Sequence, residues 1–491
     1  MTVPPGQAAT AALLERLAGA APIETHISAV FRGADTVWKL RKAVRLSFLD
    51  FSSLAGRERA ARRELALNAP HAPGLYRDVV AVARRADGTL ALGEDGEVVD
   101  WVVRMARVPE SDFLDAIAAR GGLDAALLDA VADSVAAYHA ALAPAAQDTP
   151  AMMGAVIAGN ATAARAAGLD PAPVRRWLAG AQAALAARAA WLAARQQRGF
   201  VRRAHGDLHL GNMCLWQGRP VAFDALEFDE DLATIDLGYD LAFLLMELDR
   251  RPGRAAANRV FNRYVALRGD HGLACGLPLF LSLRAMIRAH VEAARGHPRE
   301  AAAYLDAALA HLAPAPAVVV AIGGLPGTGK STLARALAPL LGPAPGALIL
   351  RSDTIRKRRH GVAPETRLPA AAYAPAASAA VFEEMMQGAA EVAGAGHAVI
   401  ADATFLEAAH QAAIRRAAGA VRFLGVWLRA PMAALEARVE ARSGDASDAD
   451  LAVLRRAAPA DRGAAGWLAV DASDAAAALA AVRAALAAAP C

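Results

Sequence analysis

One stretch constrains this chain more than any other. Residues 324–331 read GLPGTGKS, after the apolar, β-branched run AVVVAI at 317–322 and before a helix-forming run, 332–338, that Pro339 closes. A short run that is apolar throughout is what a parallel strand covered on both faces requires. Strand, glycine turn and helix in that order aim backbone N–H groups and a helix N-terminus at one spot, which suits an anion. In that geometry Lys330 reaches the β/γ-phosphates of a nucleotide and Ser331 holds Mg²⁺. With all three parts in order, a Gly-rich surface turn is a poor account of the pattern.

At 491 residues the chain exceeds a single core's size, so two or three domains are expected. Apolar residues make up 56%, but alanine inflates the figure, and no apolar run is long enough to span a bilayer without a charge or proline. No membrane partner is implied. The first 19 residues lack a basic stretch followed by an apolar core, so a cytoplasmic location is expected. Cys214, Cys275 and Cys491 are far apart and lack CxxC spacing, which argues against a disulfide framework and a zinc site. The net charge is only +4, with basic residues spread along the chain and no aromatic-basic module for nucleic acid.

From the N-terminal side, 24–31 and 36–42 read as two strands joined by a turn at 32–35. Alternation puts Val37, Lys39 and Arg41 on one face and Trp38 and Leu40 on the other. A solvated strand face would account for that lysine. Residues 56–68 are helical, with Ala61, Leu65 and Asn68 along one face and Glu64 beside it. Strands resume at 78–84, 89–92 and 98–105 and close a small sheet carrying one helix. After Pro109 the pattern to about residue 198 is almost all helix.

Then comes HGDLHLGN at 205–212, followed by two short strands around a Gln-Gly turn that end at Phe223-Asp224. This hairpin carries Asp207 and Asn212 before its first strand and Asp224 at the end of its second. Phosphoryl transfer needs such a set: a carboxylate for the attacking hydroxyl, and an amide and a carboxylate for Mg²⁺. An Asp five residues before an Asn repeats the kinase catalytic-loop spacing. Further on, Glu227, Asp229, Glu230, Asp231, Asp236 and Asp240 form an acidic cluster that either receives cationic acceptors or starts a solvated helix. Asp236 and Asp240 are expected to brace the catalytic loop.

Residues 24–249 resemble the aminoglycoside phosphotransferase and choline kinase-like branch of the protein-kinase fold, on the strength of the His-Gly-Asp-Leu-His-x-x-Asn brace. The resemblance implies that Asp207 is the catalytic base and that Asn212 and Asp224 ligate Mg²⁺. It further implies that Lys39 contacts the ATP phosphates, that Glu64 pairs with Lys39, and that Met105 to Arg107 form the adenine-binding hinge. Lys42 is a rival for the role of Lys39. Two departures stand out: the nucleotide-covering loop keeps only Gly33, and the metal motif reads Phe-Asp-Ala-Leu-Glu.

After a Pro-Ala linker at 313–317, apolar runs at 347–350, 397–401, 421–428 and 467–470 join 317–322 in a βα alternation. Five parallel strands in a doubly wound sheet are expected, with ligands at their C-terminal ends. Asp353 follows the second strand, as an orienter of the acceptor hydroxyl or as a simple N-cap, and Arg356 or Arg358 is placed to hold the acceptor's charge or the transferring phosphate. Asp402, two residues before Thr404, stands in the place of a Walker B carboxylate and is expected to act through Mg²⁺-bound water. Arg438 and Arg442, four residues apart on one helix face, resemble an arginine lid beside the polar loop 443–450. This half resembles P-loop small-molecule kinases of the gluconate kinase, polynucleotide 5′-kinase and zeta toxin group.

The expected architecture combines α+β and α/β. Residues 1–312 form a two-lobed kinase-like domain, with an N-lobe at about 20–107 and a helical C-lobe at about 108–312, and 318–491 a P-loop domain. The resemblance extends to a bacterial two-domain family with the same order. Because each half retains its own base candidate, phosphate ligand and metal ligand, a bifunctional ATP- and Mg²⁺-dependent kinase of small hydroxyl compounds is expected, with ATP held at Gly324, Gly327, Thr328, Gly329, Lys330, Ser331 and Thr332 in the second half. Two other readings are open: a P-loop kinase regulated by a catalytically weak ligand-binding lobe, and a toxin-like or nucleotide-sensing module.

Overall fold

In the computed structural model, which describes residues 2–46 and 49–488, the chain divides into two compact units. Met1–Met153 with Ala189–Leu244 form one, and Gly154–Arg188 with Leu245–Cys491 the other. Cys491 lies outside the described residues, and Cys214 and Cys275 are buried thiols. No helix among the described residues is long and apolar enough to cross a membrane.

A six-stranded antiparallel sheet organises the first unit, in the order Ile23–Glu24, Ser28–Arg32, Thr36–Arg41, Glu97–Ala106, Tyr76–Arg84, Leu90–Leu92. Its hairpin turns at Gly33, whose N–H donates to Thr36 O at 2.8 Å; a Cβ there would sit 2.8 Å from the Trp38 ring. Side-chain alternation gives the sheet two different faces. Phe31, Leu40, Val82 and Val102 pack against Leu13 and Leu14 of the helix Ala8–Ala18, an element the sequence reading did not single out. Val103 and Tyr76 pack instead against Ala61 of the helix Leu54–Asn68, which Ser53 caps by accepting the Gly56 N–H. Lys39 shares this second face and is only 8% exposed, so it does not lie on a solvated strand. Further along, Met213–Trp216 pairs antiparallel with Arg219–Ala222, and Val201–Arg203 with Thr234–Asp236.

The second unit holds a five-stranded parallel sheet ordered Leu348–Arg351, Val399–Asp402, Val318–Gly323, Arg422–Arg429, Leu468–Asp471. The strand that feeds the phosphate loop is central and buried at every residue, as its apolar run demands. Helices Arg254–Arg268, Leu273–Ala294 and Pro298–Leu312 lie in the same compact unit as this sheet. Here Trp177 Nε1 donates to Ser282 Oγ at 3.0 Å, and Ser282 in turn donates to Ala308 O at 2.6 Å.

The Leu348–Arg351 strand is an edge, and the helix Arg254–Arg268 covers it. Asn262 Oδ1 accepts the Ile349 N–H at 2.6 Å, while Asn258 and Asn262 both donate to Ala347 O, at 3.1 and 3.2 Å. Two asparagines thus use up edge groups that would otherwise seek another strand. Asn262→Leu keeps the branched shape and removes both bonds to the edge, so chemical denaturation of the full chain should show a loss of about 1–3 kcal/mol. An unchanged midpoint would mean that solvent serves Ile349 equally well.

Candidate functional site

In the first unit, three segments converge on Lys39. Its Nζ donates to Glu64 Oε1 at 2.8 Å and pairs with Asp224, 185 residues away. The second Glu64 oxygen pairs with Arg41, which also pairs with Glu227. A buried chain of alternating charge results: Asp224, Lys39, Glu64, Arg41, Glu227. Burial pushes the Lys39 ammonium down, but Asp224 and Glu64 outweigh it and leave its pKa raised. Burial likewise pushes the Asp224 carboxyl up, and Lys39 and Arg41 outweigh it and leave it lowered. For Glu227 burial prevails over Arg41, and the carboxyl is raised. Lys42 donates instead to Glu24 Oε2 at 2.7 Å and Thr25 O at 2.6 Å, so of the two lysines it is Lys39 that pairs with Glu64.

Asp224 sits at φ 61, in the left-handed region. Its N–H donates to the Tyr76 hydroxyl oxygen at 3.0 Å, and the next N–H, of Ala225, to Asn68 Oδ1 at 3.0 Å. The surrounding fold therefore holds a backbone that an aspartate seldom adopts. Asn212 Nδ2 donates to both the backbone O and Oδ2 of Asp207 at 3.0 Å, and Asn212 O accepts the Phe223 N–H at 3.0 Å. Strand pairing thus brings Asp207, Asn212 and Asp224 to one end of the hairpin. Behind them Asp240 accepts from the N–H groups of Gly206 at 2.8 Å and His205 at 3.2 Å, and Asp236 takes Arg195 at 2.6 and 2.9 Å. Of the other acids in that cluster, Glu227 is tied to Arg41, Asp229 caps a helix through the Leu232 N–H, and Glu230 pairs with Arg63 and Arg203. Met105 packs beside Tyr76 and Val103, and Arg107 ties the strand end to the hairpin by donating from Nη1 to Gly33 O at 3.0 Å.

The phosphate loop is built on backbone that only glycine supplies. A Cβ at Gly324 (φ 134) would lie 2.6 Å from Leu428 O, and one at Gly327 (φ 86) 2.8 Å from Leu435 O. Gly329 caps the following helix, Lys330–Leu337, which begins two residues before the expected start, with Thr332 exposed in its first turn. Thr328 is buried and donates to Leu325 O at 2.8 Å. Lys330 Nζ donates to Gly324 O at 3.0 Å and Leu325 O at 2.9 Å, and burial, only partly opposed by Asp402 and Asp353, pushes its ammonium down to about 8. Ser331 Oγ donates to Asp402 Oδ2 at 2.6 Å, and Thr404 O accepts the Gly324 N–H at 3.1 Å. A hydroxyl beside a carboxylate is the hard-oxygen pair that suits Mg²⁺.

Asp353 occupies the second position of the helix Ser352–Arg359 and is not its N-cap. Arg351 Nη2 stands 3.4 Å from its Oδ2; burial, reinforced by Asp402, outweighs Arg351 and Lys330 and raises the carboxyl. The two arginines expected at the acceptor are placed elsewhere. Arg356 donates to Ala372 O at 2.7 Å and lies 4.6 Å from the Tyr373 ring centroid, while Arg358 pairs with Glu384 and lies against Gly269. Arg438 lies at the loop, with Nη1 3.4 Å from Gly327 O and Nη2 donating to Ser473 O at 3.1 Å. Its helix, Met432–Glu440, ends before Arg442, so the two arginines do not share a helix face; Nη1 of Arg442 is buried without a hydrogen-bond partner among the described residues.

Several residues that shape these sites were not assigned from the sequence. Arg41 had a signal, since it shares the face of Lys39 two residues on. Tyr76, Asn68, Arg351 and Asp445 had none, because each acts through tertiary proximity rather than through a motif.

A family model described as an AAA domain matches residues 319–459. The uncharacterized protein Rv2004c of Mycobacterium tuberculosis is 31% identical over 445 residues, covering 87% of this chain and 87% of the relative. Among solved structures, a gluconokinase from Sinorhizobium meliloti covers 35% of this chain and 97% of its own at 22% identity and a TM-score of 0.23. A choline kinase from Cryptosporidium parvum covers 59% of this chain and 86% of its own at 11% identity and a TM-score of 0.40. The chain belongs to the family of Rv2004c, and in it the unit that carries the His205–Asn212 segment and Lys39 is followed by the phosphate-loop domain that the AAA model matches.

Proposed function

We propose that this protein is an ATP- and Mg²⁺-dependent phosphotransferase with two sites, each moving the γ-phosphoryl group to a hydroxyl of a small molecule. The observation that carries this reading is that each half assembles its own set from distant segments. Lys39, Glu64 and Asp224 meet beside Asp207 and Asn212 in one, and Lys330, Ser331 and Asp402 meet beside Asp353 in the other. In the first, the Asp207 carboxylate takes the proton of the attacking hydroxyl, its orientation fixed by the Asn212 amide. Lys39, held by Glu64, binds donor phosphates. In the second, Asp353 takes the proton, and its raised pKa brings it nearer to the working pH. At either site a bond forms from the acceptor oxygen to the γ-phosphorus while the bond to the β–γ bridging oxygen breaks, and ADP leaves. Mg²⁺ held by Asn212 and Asp224, or by Ser331 and through Asp402, would neutralise phosphate charge.

The second reading, a P-loop kinase regulated by a ligand-binding kinase-like half, is favoured by the departure at 223–227, where Asp224 lies on Lys39. Separate substitutions discriminate. With a panel of hydroxylated small molecules, Asp207→Ala should reduce ADP release for the first site's acceptors by about 10²–10⁴-fold and leave the P-loop turnover in place. If Asp207→Ala alters no turnover while Lys330→Ala abolishes it, the regulatory reading replaces the bifunctional one.

A further inference from the structure

Arg351 belongs to no motif, yet it occupies the centre of the second site. Its side chain, 11% exposed at the C-terminal end of the edge strand, reaches three carboxylates from different segments. Asp445 is bound through Nη2 at 2.6 Å and Nη1 at 3.2 Å, Asp353 lies 3.4 Å from Nη2, and Asp402 lies 3.7 Å from Nε. A planar guanidinium meeting one carboxylate with two nitrogens fixes orientation as well as distance. Asp445 lies in the loop that follows the Met432–Glu440 helix, three residues past Arg442. A second tie holds the same loop: Asp448 accepts from Lys357, from the Tyr373 hydroxyl and from the Leu368 N–H at 3.0 Å.

We propose that Arg351 and Asp445 form a latch that fixes the 443–450 loop over the acceptor side of the phosphate loop, making Arg351 a positioning residue for phosphoryl transfer. Through Asp445 it sets Arg442, whose unpartnered Nη1 is then ready for an anion. Through its own charge it keeps Asp353 in register with Asp402. Arg356 and Arg358 direct a terminal nitrogen to Ala372 O and to Glu384 instead. The inference rests on the phosphotransferase reading of this half, and its test separates the two.

The test uses the full chain carrying Asp207→Ala, so that only the second site turns over. Asp445→Asn keeps the shape and weakens the ion pair. It should speed amide hydrogen exchange across 443–450 and lower kcat/KM for ATP by on the order of 10²-fold, with the stoichiometry of Mg-ADP binding unchanged. Asp445→Glu should restore most of the rate. Exchange in 443–450 that is the same in Asp445→Asn as in the parent overturns the latch, whether or not the protein turns over ATP. Loss of Mg-ADP stoichiometry would assign Asp445 to folding and overturn it as well. If the parent neither binds Mg-ADP nor changes on Lys330→Ala, the phosphotransferase reading fails while the exchange result still judges the latch.

Discussion

Replacing Lys330 with alanine is expected to reduce ADP release at the phosphate loop by about 10²–10³-fold, the usual loss for one preorganised group that stabilises developing charge. The lysine is held ready by its bonds to Gly324 O and Leu325 O, so a bound phosphate gains its charge at little reorganisation cost. The same residue predicts opposite pH trends for stability and binding. Its pKa falls from 10.5 to about 8 on folding, chiefly through burial. Between those values the unfolded chain carries the proton and the folded chain does not, so the ligand-free protein should gain stability as pH rises through that window. Nucleotide affinity needs the charged form and should fall as pH rises through about 8. Thermal melts and ADP titrations across this range measure the two trends. If Lys330→Ala leaves both profiles as in the parent, the lysine has no part in phosphate binding.

How much of this could be read beforehand depended on whether a residue works through local spacing or through tertiary contact. The loop 324–331 was legible because its chemistry is carried by consecutive backbone groups, and the five parallel strands because apolar runs alternate with helices. Lys39 and Glu64 were legible only through the family resemblance, since alternation alone also allows a solvated face. Their contact depends on a helix crossing the sheet. Arg358 shows where spacing misleads. One turn of helix aims it at Glu384, and no local pattern records the position of that partner. Arg442 fails for a related reason: i,i+4 spacing implies a shared face only while the helix lasts, and this one stops at Glu440. The edge-covering role of Asn258 and Asn262 was invisible, because it needs a helix far from the edge strand in sequence.

The largest loss of stability is expected from Arg41. It is 2% exposed and bridges Glu64 to Glu227, so Arg41→Met leaves the buried Glu227 without its paired guanidinium, with only the weaker influence of Lys39, and Glu64 with Lys39. Breaking a buried pair from one side typically costs roughly 3–5 kcal/mol. The penalty should depend on pH with a definite sign. Glu227 already titrates above the ordinary carboxylate range because burial prevails over Arg41, and removing Arg41 raises it further. A carboxyl raised in the folded state binds its proton more tightly than in the unfolded chain, so the variant should recover stability as pH falls through the new value and lose it as pH rises. Arg41→Met with Glu227→Gln removes the orphaned charge and should regain most of the loss, while Lys39 and Glu64 stay paired. Urea denaturation of both single variants and the double variant completes the cycle. Strict additivity of the two single losses would mean that Arg41 and Glu227 do not sustain each other and that the alternating charge chain is not a unit.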